Sequence, residues 1–436
     1  MRYSTLLMGA ASTLALTTAS AAFAGAITIA TVNNGQMIQM QGLTDEFTKA
    51  HPDITVNWVT LEENTLRERV TTDIATGGGQ YDILTIGNYE VPIWGKQGWL
   101  TPLEFSADYD VDDLLPAIRG GLTVEDKLYG APFYGESAFL MYRTDLFEKA
   151  GLTMPDDPTW EFIGEAARKL TDRSAGVNGI CLRGKAGWGE NMALISSMAN
   201  SFGARWFDEE WAPQFDQPGW KETLTFYAEL MKDAGPSGAS SNGFNENLTL
   251  FQQGKCAMWI DATSAGQFVS DPKQSTVADN VGFKIYPHKD GVDNHGNWLW
   301  SWNLAIPASS KNQEDARTFI EWATSKDYTE LVASKEGWVN APPGTRTSLY
   351  ENQNYLDAAP FADETKAAMN AADITKPTVD PVPYTGGQFV AIPEFQSIGT
   401  TVGQLFSAVV AGQSSVDDAL AQAQSTTQRE MRRAGY

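Results

Sequence analysis

A chain of 436 residues, 42% hydrophobic and 19% charged, has the make-up of a folded protein of about two domains and rules out an intrinsically disordered one. Its formal net charge of -23 repels nucleic acid and anionic lipid headgroups, so both are set aside as partners. With three His (His51, His288, His295) and two Cys, and no HExxH or CxxC arrangement, neither a metal site nor a cofactor is expected; the His read as solvent-exposed loop residues.

Residues 1–24 read as a cleaved export signal. Arg2 supplies the positive start, Leu6, Leu7, Met8, Leu14, Ala15 and Leu16 the apolar stretch, and Ala22-Phe23-Ala24 the cleavage pattern, leaving Gly25 first. The apolar run is too short and too interrupted to span a bilayer of about 30 Å. No Cys adjoins the cleavage point, so no lipid tether is expected and the protein is expected to be exported without stable membrane insertion.

A strand is predicted over 26–32, followed by the turn Asn33-Asn34-Gly35. Met37, Met40, Leu43 and Phe47 have helical spacing, and His51-Pro52-Asp53 ends that helix. Alternation predicts a second strand over 54–59; Leu66, Val70 and Ile74 mark another helix, and 81–86 a third strand. Strands alternating with helices point to an α/β domain with a mainly parallel sheet. Ligands collect beyond the carboxyl ends of such strands, which nominates the loops at 33–36 and 87–90 and, within them, Asn34, Asn88 and Tyr89.

The second half continues in the same style, with strands predicted over 178–183 and 255–261 running into small-residue loops. Cys181 and Cys256 lie in those two runs, where one disulfide and two free buried thiols are both ordinary outcomes. The chain holds 14 Trp, and in 297–303 the residues Trp298, Trp300 and Trp302 fall on one face of an extended segment. No fixed-period repeat and no long linker appear, so the halves must be joined by short hinge segments.

Five segments then occur in one order: 127–134, 140–152 (with Tyr142-Arg143-Thr144-Asp145), 158–162, 251–259 and 304–322. Together they resemble the extracellular solute-binding proteins of carbohydrate ABC transporters, and Tyr134-Gly135-Glu136-Ser137 with the Trp-rich segment is most similar to the sorbitol/mannitol (polyol) binding members. The resemblance implies a two-lobed α/β fold, each lobe a mainly parallel sheet flanked by helices, with the ligand in the cleft. It places 25–133 plus 303–336 in the first lobe and 134–302 plus 337–436 in the second. It further implies a periplasmic monomer that delivers its ligand to a membrane permease; ATP is hydrolysed elsewhere, since the chain has no GxxxxGK[ST] loop.

A polyol presents hydroxyls, each donor and acceptor, on a narrow apolar chain, so its site needs charged hydrogen-bonding groups and aromatic faces. Arg183 can donate in a fork, and Glu136, Glu190 and Asp261 can each accept from two hydroxyls. Tyr134, Trp188, Trp259, Trp298, Trp300 and Trp302 are the candidate faces. Arg346 resembles the family's cleft-reaching Arg, and 384–389 is a late contributor. The alternatives are a receptor for a cyclic mono- or oligosaccharide and a secreted carbohydrate-active enzyme using two of these carboxylates. Against the enzyme, there is no GxSxG elbow and no eight-fold βα pattern.

Overall fold

The first sheet starts from an alternating run, β1 (Gly25–Val32), in which Ile27 and Ile29 are fully buried. The computed structural model describes residues 25–436, so the predicted export signal at 1–24 lies outside the described residues. After β1 come α1 (Gly35–Gly42), α2 (Thr44–Ala50), β2 (Ile54–Leu61), α3 (Glu63–Thr76) and β3 (Ile83–Gly87). The single predicted helix through Phe47 is two helices, broken at Leu43, yet Met37, Met40 and Phe47 stay buried on one side. Helix α3 ends at Gly77, whose φ of +62° is readily adopted only by glycine.

Next come β4 (Leu100–Thr101), the short hairpin β5 (Thr123–Val124) and β6 (Lys127–Leu128), and then β7 (Ala131–Glu136) and β8 (Ala138–Arg143). The remaining strands are β9 (Met258–Ala262), β10 (Val281–Ile285) and β11 (Trp300–Pro307). In the first sheet β2, β1 and β3 are parallel, while β11 runs antiparallel to β3 and to its other neighbours, β4 and β7. The chain leaves this sheet at Ser137, between β7 and β8, and returns through 286–299, between β10 and β11. Tyr134, Glu136, Trp300 and Trp302 therefore sit on first-sheet strands, at the ends that meet the second lobe.

The second sheet corrects an expectation. Its order is β10-β8-β9, antiparallel throughout rather than mainly parallel. The predicted strand at 178–183 forms no ladder; it meets its neighbours at two isolated parallel bridges, Asn178–Cys256 and Cys181–Trp259. A parallel partner is present only as single contacts on the β9 side, so the ladders that form are those of β8 with β9 and β10, both antiparallel. Helices Asn191–Ser201, Pro218–Ala234, Phe395–Val410 and Val416–Ala434 pack together beside this sheet. Among the described residues no helix is long and apolar enough to cross a membrane.

Cys181 and Cys256 are joined as a disulfide with their Cα atoms 5.9 Å apart, closing a loop with a sequence separation of 75. A loop of that length limits the unfolded chain strongly, and removing such a bridge typically costs about 2–5 kcal/mol. Cys181→Ser/Cys256→Ser is expected to unfold at a lower temperature than the parent, and reductant should lower the parent to match. Coincident melting curves in all three conditions would mean that the bridge does not form in solution.

Candidate functional site

Between the two sheets lies a partly enclosed cavity lined by polar and aromatic side chains. The chain reaches it first at the end of β1, where Asn34 performs two tasks. Its Oδ1 accepts from Met37 N at 3.0 Å and so caps α1, while its Nδ2 donates to Tyr134 Oη at 2.6 Å. Both side chains line the cavity. The end of β2 contributes Glu62 and Glu63, and one turn into α3 comes Arg67.

Arg67 holds the aromatic wall together. Its guanidinium lies 4.1 Å from the ring centroid of Trp188, 4.8 Å from Trp302 and 5.1 Å from Trp300. The same group donates to Glu63 Oε1 at 2.9 and 3.1 Å and to the buried Glu90 at 2.9 Å. Burial pushes the Glu90 carboxyl up, and the Arg67 charge opposes that rise. Trp300 packs over the backbone at the end of β3. A Cβ on Gly87 would lie 1.9 Å from its ring, so only glycine leaves room there. Trp298, Trp300 and Trp302 all line the cavity, as alternation along one extended segment requires.

Further charged groups complete the lining. Arg183 points its Nε and Nη2 at Asp261, with contacts of 2.6–3.1 Å, and its Nη1 at Gly189 O at 2.9 Å. Asp261 is fully buried and also accepts from Trp259 Nε1 and from Ala262 N. Glu190 lies 3.6 Å from Arg183 and 3.5 Å from Lys185. Burial, then the Glu63 charge, pushes its carboxyl up to about 8 against those two cations. Glu136 accepts a short hydrogen bond from Ser264 Oγ, and burial pushes it up to about 8 as well. Trp298 Nε1 and Gln388 Oε1 belong to lining residues and have no hydrogen-bond partner among the described residues. Leaving such a group unpaired costs about 1–3 kcal/mol, which a bound hydroxyl would remove.

Contacts bridge the lobes around the cavity: Lys185 pairs with Glu62, Asn64 Nδ2 donates to Ala186 O at 3.1 Å, and Gln36 Nε2 to Ser264 O at 3.4 Å. The lobes are closed on one another.

Of the sequence-predicted candidates, Asn34, Tyr134, Glu136, Arg183, Trp188, Glu190, Trp298, Trp300 and Trp302 line this cavity. Five others do not, and each has a physical reason. Asn88 is occupied by backbone: its Nδ2 donates to Leu299 O and its Oδ1 accepts from Ser301 N, which fixes the entry to β11. Tyr89 lies behind Trp188, its ring 4.8 Å away and its hydroxyl on Ile392 O. Trp259 is buried between Phe244 and Phe251. Asp261 stands behind Arg183 rather than beside it. Arg346 is sequestered outside the lining, its Nη groups on Thr324 O, Asp110 O and Asp113 and its guanidinium over the Tyr109 ring.

Sequence reading passed over Glu62, Glu63, Arg67 and Phe244. The rule that nominated the loops after the first and third strands applies equally to the second, where Glu62 and Glu63 follow β2 directly. Gln388, from the late segment, lines the cavity, whereas Tyr384 is turned to Trp206 N. The three His are each partly buried rather than solvent-exposed, and His51 stacks on Phe47 at 4.8 Å.

The sequence pattern of the bacterial extracellular solute-binding protein family matches residues 34–330. The chain is 57% identical over 411 residues to a mannitol-binding protein of Pseudomonas aeruginosa, covering 94% of each. A solute-binding protein of an ABC transporter from Agrobacterium vitis, solved with bound D-mannitol, is 67% identical with a TM-score of 0.94, covering 95% of this chain and 100% of that one. A ribitol complex from Agrobacterium radiobacter is 25% identical with a TM-score of 0.82, covering 93% and 98%. These likenesses run the length of a two-lobed fold closed on a central cleft, and the chain belongs to the bacterial extracellular solute-binding proteins.

Proposed function

We propose that the protein captures an acyclic hexitol of the D-mannitol type in the cleft and delivers it, from the periplasm and as a monomer, to the membrane permease of an ABC importer. The observation that carries this reading is the cleft itself, whose lining combines the row Trp298, Trp300 and Trp302 with Arg183, Glu136 and Glu190. It is supported by the 67% identity to a protein that holds D-mannitol. In this reading the lobes divide near residues 133, 303 and 336, the bounds the resemblance implies, and the ends of β7 and β11 beyond 133 and before 303 form the crossover.

The chemistry follows from this mixed lining. Flat indole faces take the C–H side of the carbon chain, and carboxylates and guanidinium take the hydroxyls. Ligand contacts made only when the lobes meet shift the open–closed equilibrium by their differential affinity. The pairs Lys185–Glu62 and Asn64–Ala186 form across the lobes and so belong to the closed state. A delivery protein has no bond to break, and no turnover of glycosides is expected.

Calorimetry on the protein from Gly25 onward, refolded to strip carried-over ligand, tests this with mannitol, sorbitol, glucose and maltose. Binding to a hexitol near or below about 1 μM, roughly -8 kcal/mol, with weak binding of both sugars, is the expected result. Binding of a cyclic sugar alone would overturn the substrate, and turnover of a glycoside that disappears in Glu136→Gln would overturn the function.

The raised carboxyls also set a pH dependence. A carboxyl that ionises near 4.5 in the unfolded chain and at about 8 in the fold holds its proton in the fold between those values. The folded state then binds more protons than the unfolded one, so ligand-free stability falls as pH rises from about 4.5 to about 8, by at most about 1.4 kcal/mol per pH unit and group. Polyol hydroxyls donating to the ionised forms should draw protons off, so affinity rises across the upper part of that window. Melting curves at pH 5 and 8 should show this decline, and Glu136→Gln should reduce it. A pH-independent ligand-free melting temperature would refute it.

A further inference from the structure

The segment 286–299 joins β10 to β11 and carries Trp298 into the cavity. On its way it brings His288 and His295 to Asp157, which lies in the loop before helix Trp160–Leu170. Each His Nε2 is 3.5 Å from Asp157 Oδ1, and one ligand atom from each of the three residues lies within 4.8 Å of the others.

The tautomers are set by what lies on the far side of each ring. His288 Nδ1 is 3.0 Å from Lys289 O and 2.9 Å from Val292 O, and His295 Nδ1 is 2.6 Å from Tyr286 O. A carbonyl oxygen only accepts, so Nδ1 carries the hydrogen and, in the neutral ring, Nε2 keeps a bare lone pair. Two lone pairs and a carboxylate oxygen thus converge with no donor among them, which is unfavourable until a cation sits between them.

We propose that Asp157, His288 and His295 form a binding site for a divalent transition-metal ion of the zinc class, with water completing the coordination. In a tetrahedral zinc site, bonds of about 2.0–2.1 Å put ligand atoms roughly 3.4 Å apart, close to the two His–Asp spacings of 3.5 Å here. The Nδ1–carbonyl bonds are the outer-shell contacts that orient metal-binding imidazoles. Neighbouring cations are already neutralised, Lys284 by Asp156 and Lys289 by Glu222, and the loop itself adds Asp290 and Asp293. The site lies outside the cleft, so it does not depend on which ligand the cleft takes. A bound ion would clamp the connection that presents Trp298 to the body of the second lobe.

The test uses the protein from Gly25 onward after EDTA treatment and dialysis. Zn²⁺ is titrated by calorimetry, and Co²⁺ by its visible absorption. One equivalent of Zn²⁺ at micromolar or tighter affinity is expected, with a Co²⁺ spectrum of low coordination number. Zn²⁺ at 100 times its Kd should raise the melting temperature by about 3 °C. His295→Ala should weaken Zn²⁺ binding by more than about 100-fold, beyond what loss of a supporting partner causes. Asp157 is largely exposed, so Asp157→Asn should leave the metal-free melting temperature unchanged and weaken Zn²⁺ by about 10-fold or more. Absence of Zn²⁺ heat and of the Co²⁺ band, or binding that both variants retain, would overturn the site.

Discussion

Asp261→Ala is expected to lower both the stability of the ligand-free protein and its affinity for hexitol. Asp261 is fully buried and accepts from Arg183 Nε and Nη2, from Trp259 Nε1 and from Ala262 N. Removing it leaves the Arg183 guanidinium, itself buried, with Gly189 O and the more distant Glu190. Breaking a buried ion pair from one side costs about 3–5 kcal/mol, or roughly 4–6 °C for a chain of this size. Binding should weaken at least about tenfold, or 1.4 kcal/mol, because Arg183 loses the partner that aims its remaining donors into the cleft. Reading Asp261 from sequence as a direct ligand contact predicts a different outcome, weaker binding with the ligand-free melting temperature nearly unchanged. Thermal unfolding without ligand separates the two, and an unchanged melting temperature would return Asp261 to the cleft surface.

Arg67→Lys is expected to fold and to bind hexitol about 100-fold more weakly, a loss of about 2.7 kcal/mol. A lysine keeps the charge but not the plane. Arg67 lies over three Trp rings while donating to two carboxylates, and an ammonium cannot stack or fork in that way. Trp188, Trp300 and Trp302 then lose their common contact and the wall they form loses its shape. Calorimetry against mannitol with a parallel melting curve reads both effects. Affinity within about threefold of the parent would show that the wall stands without Arg67.

Several parts of this protein are legible from residue order alone, and others are not. The alternation of Ile27 and Ile29, and the helical spacing of Leu66, Val70 and Ile74, follow from periods of 2 and 3.6, which neighbouring residues express without any tertiary contact. The Trp row at 298–302 reaches the cavity by the same rule. Arg183, Glu136 and Glu190 are legible as chemistry because a polyol site needs charged hydrogen-bonding groups, and they do line the cavity.

Only the folded structure separates Asp261 from Glu190, or Arg346 from Arg67, although each pair shares one chemistry. Asp261 and Arg183 are 78 residues apart, and Arg346 meets Asp110 across 236. Whether a charged side chain faces a ligand depends on which of its hydrogen bonds are already filled, and those partners arrive from distant segments. The same holds for His288, His295 and Asp157, whose sequence spacing matches no ligand motif. The sequence by itself determined the α/β elements and the vocabulary of the cleft. The tertiary structure decided the antiparallel second sheet, the division between groups that face the cavity and groups that hold them, and the convergence of three acceptors on one point. Periodicity is local, whereas saturation of a buried polar group is a property of the whole fold.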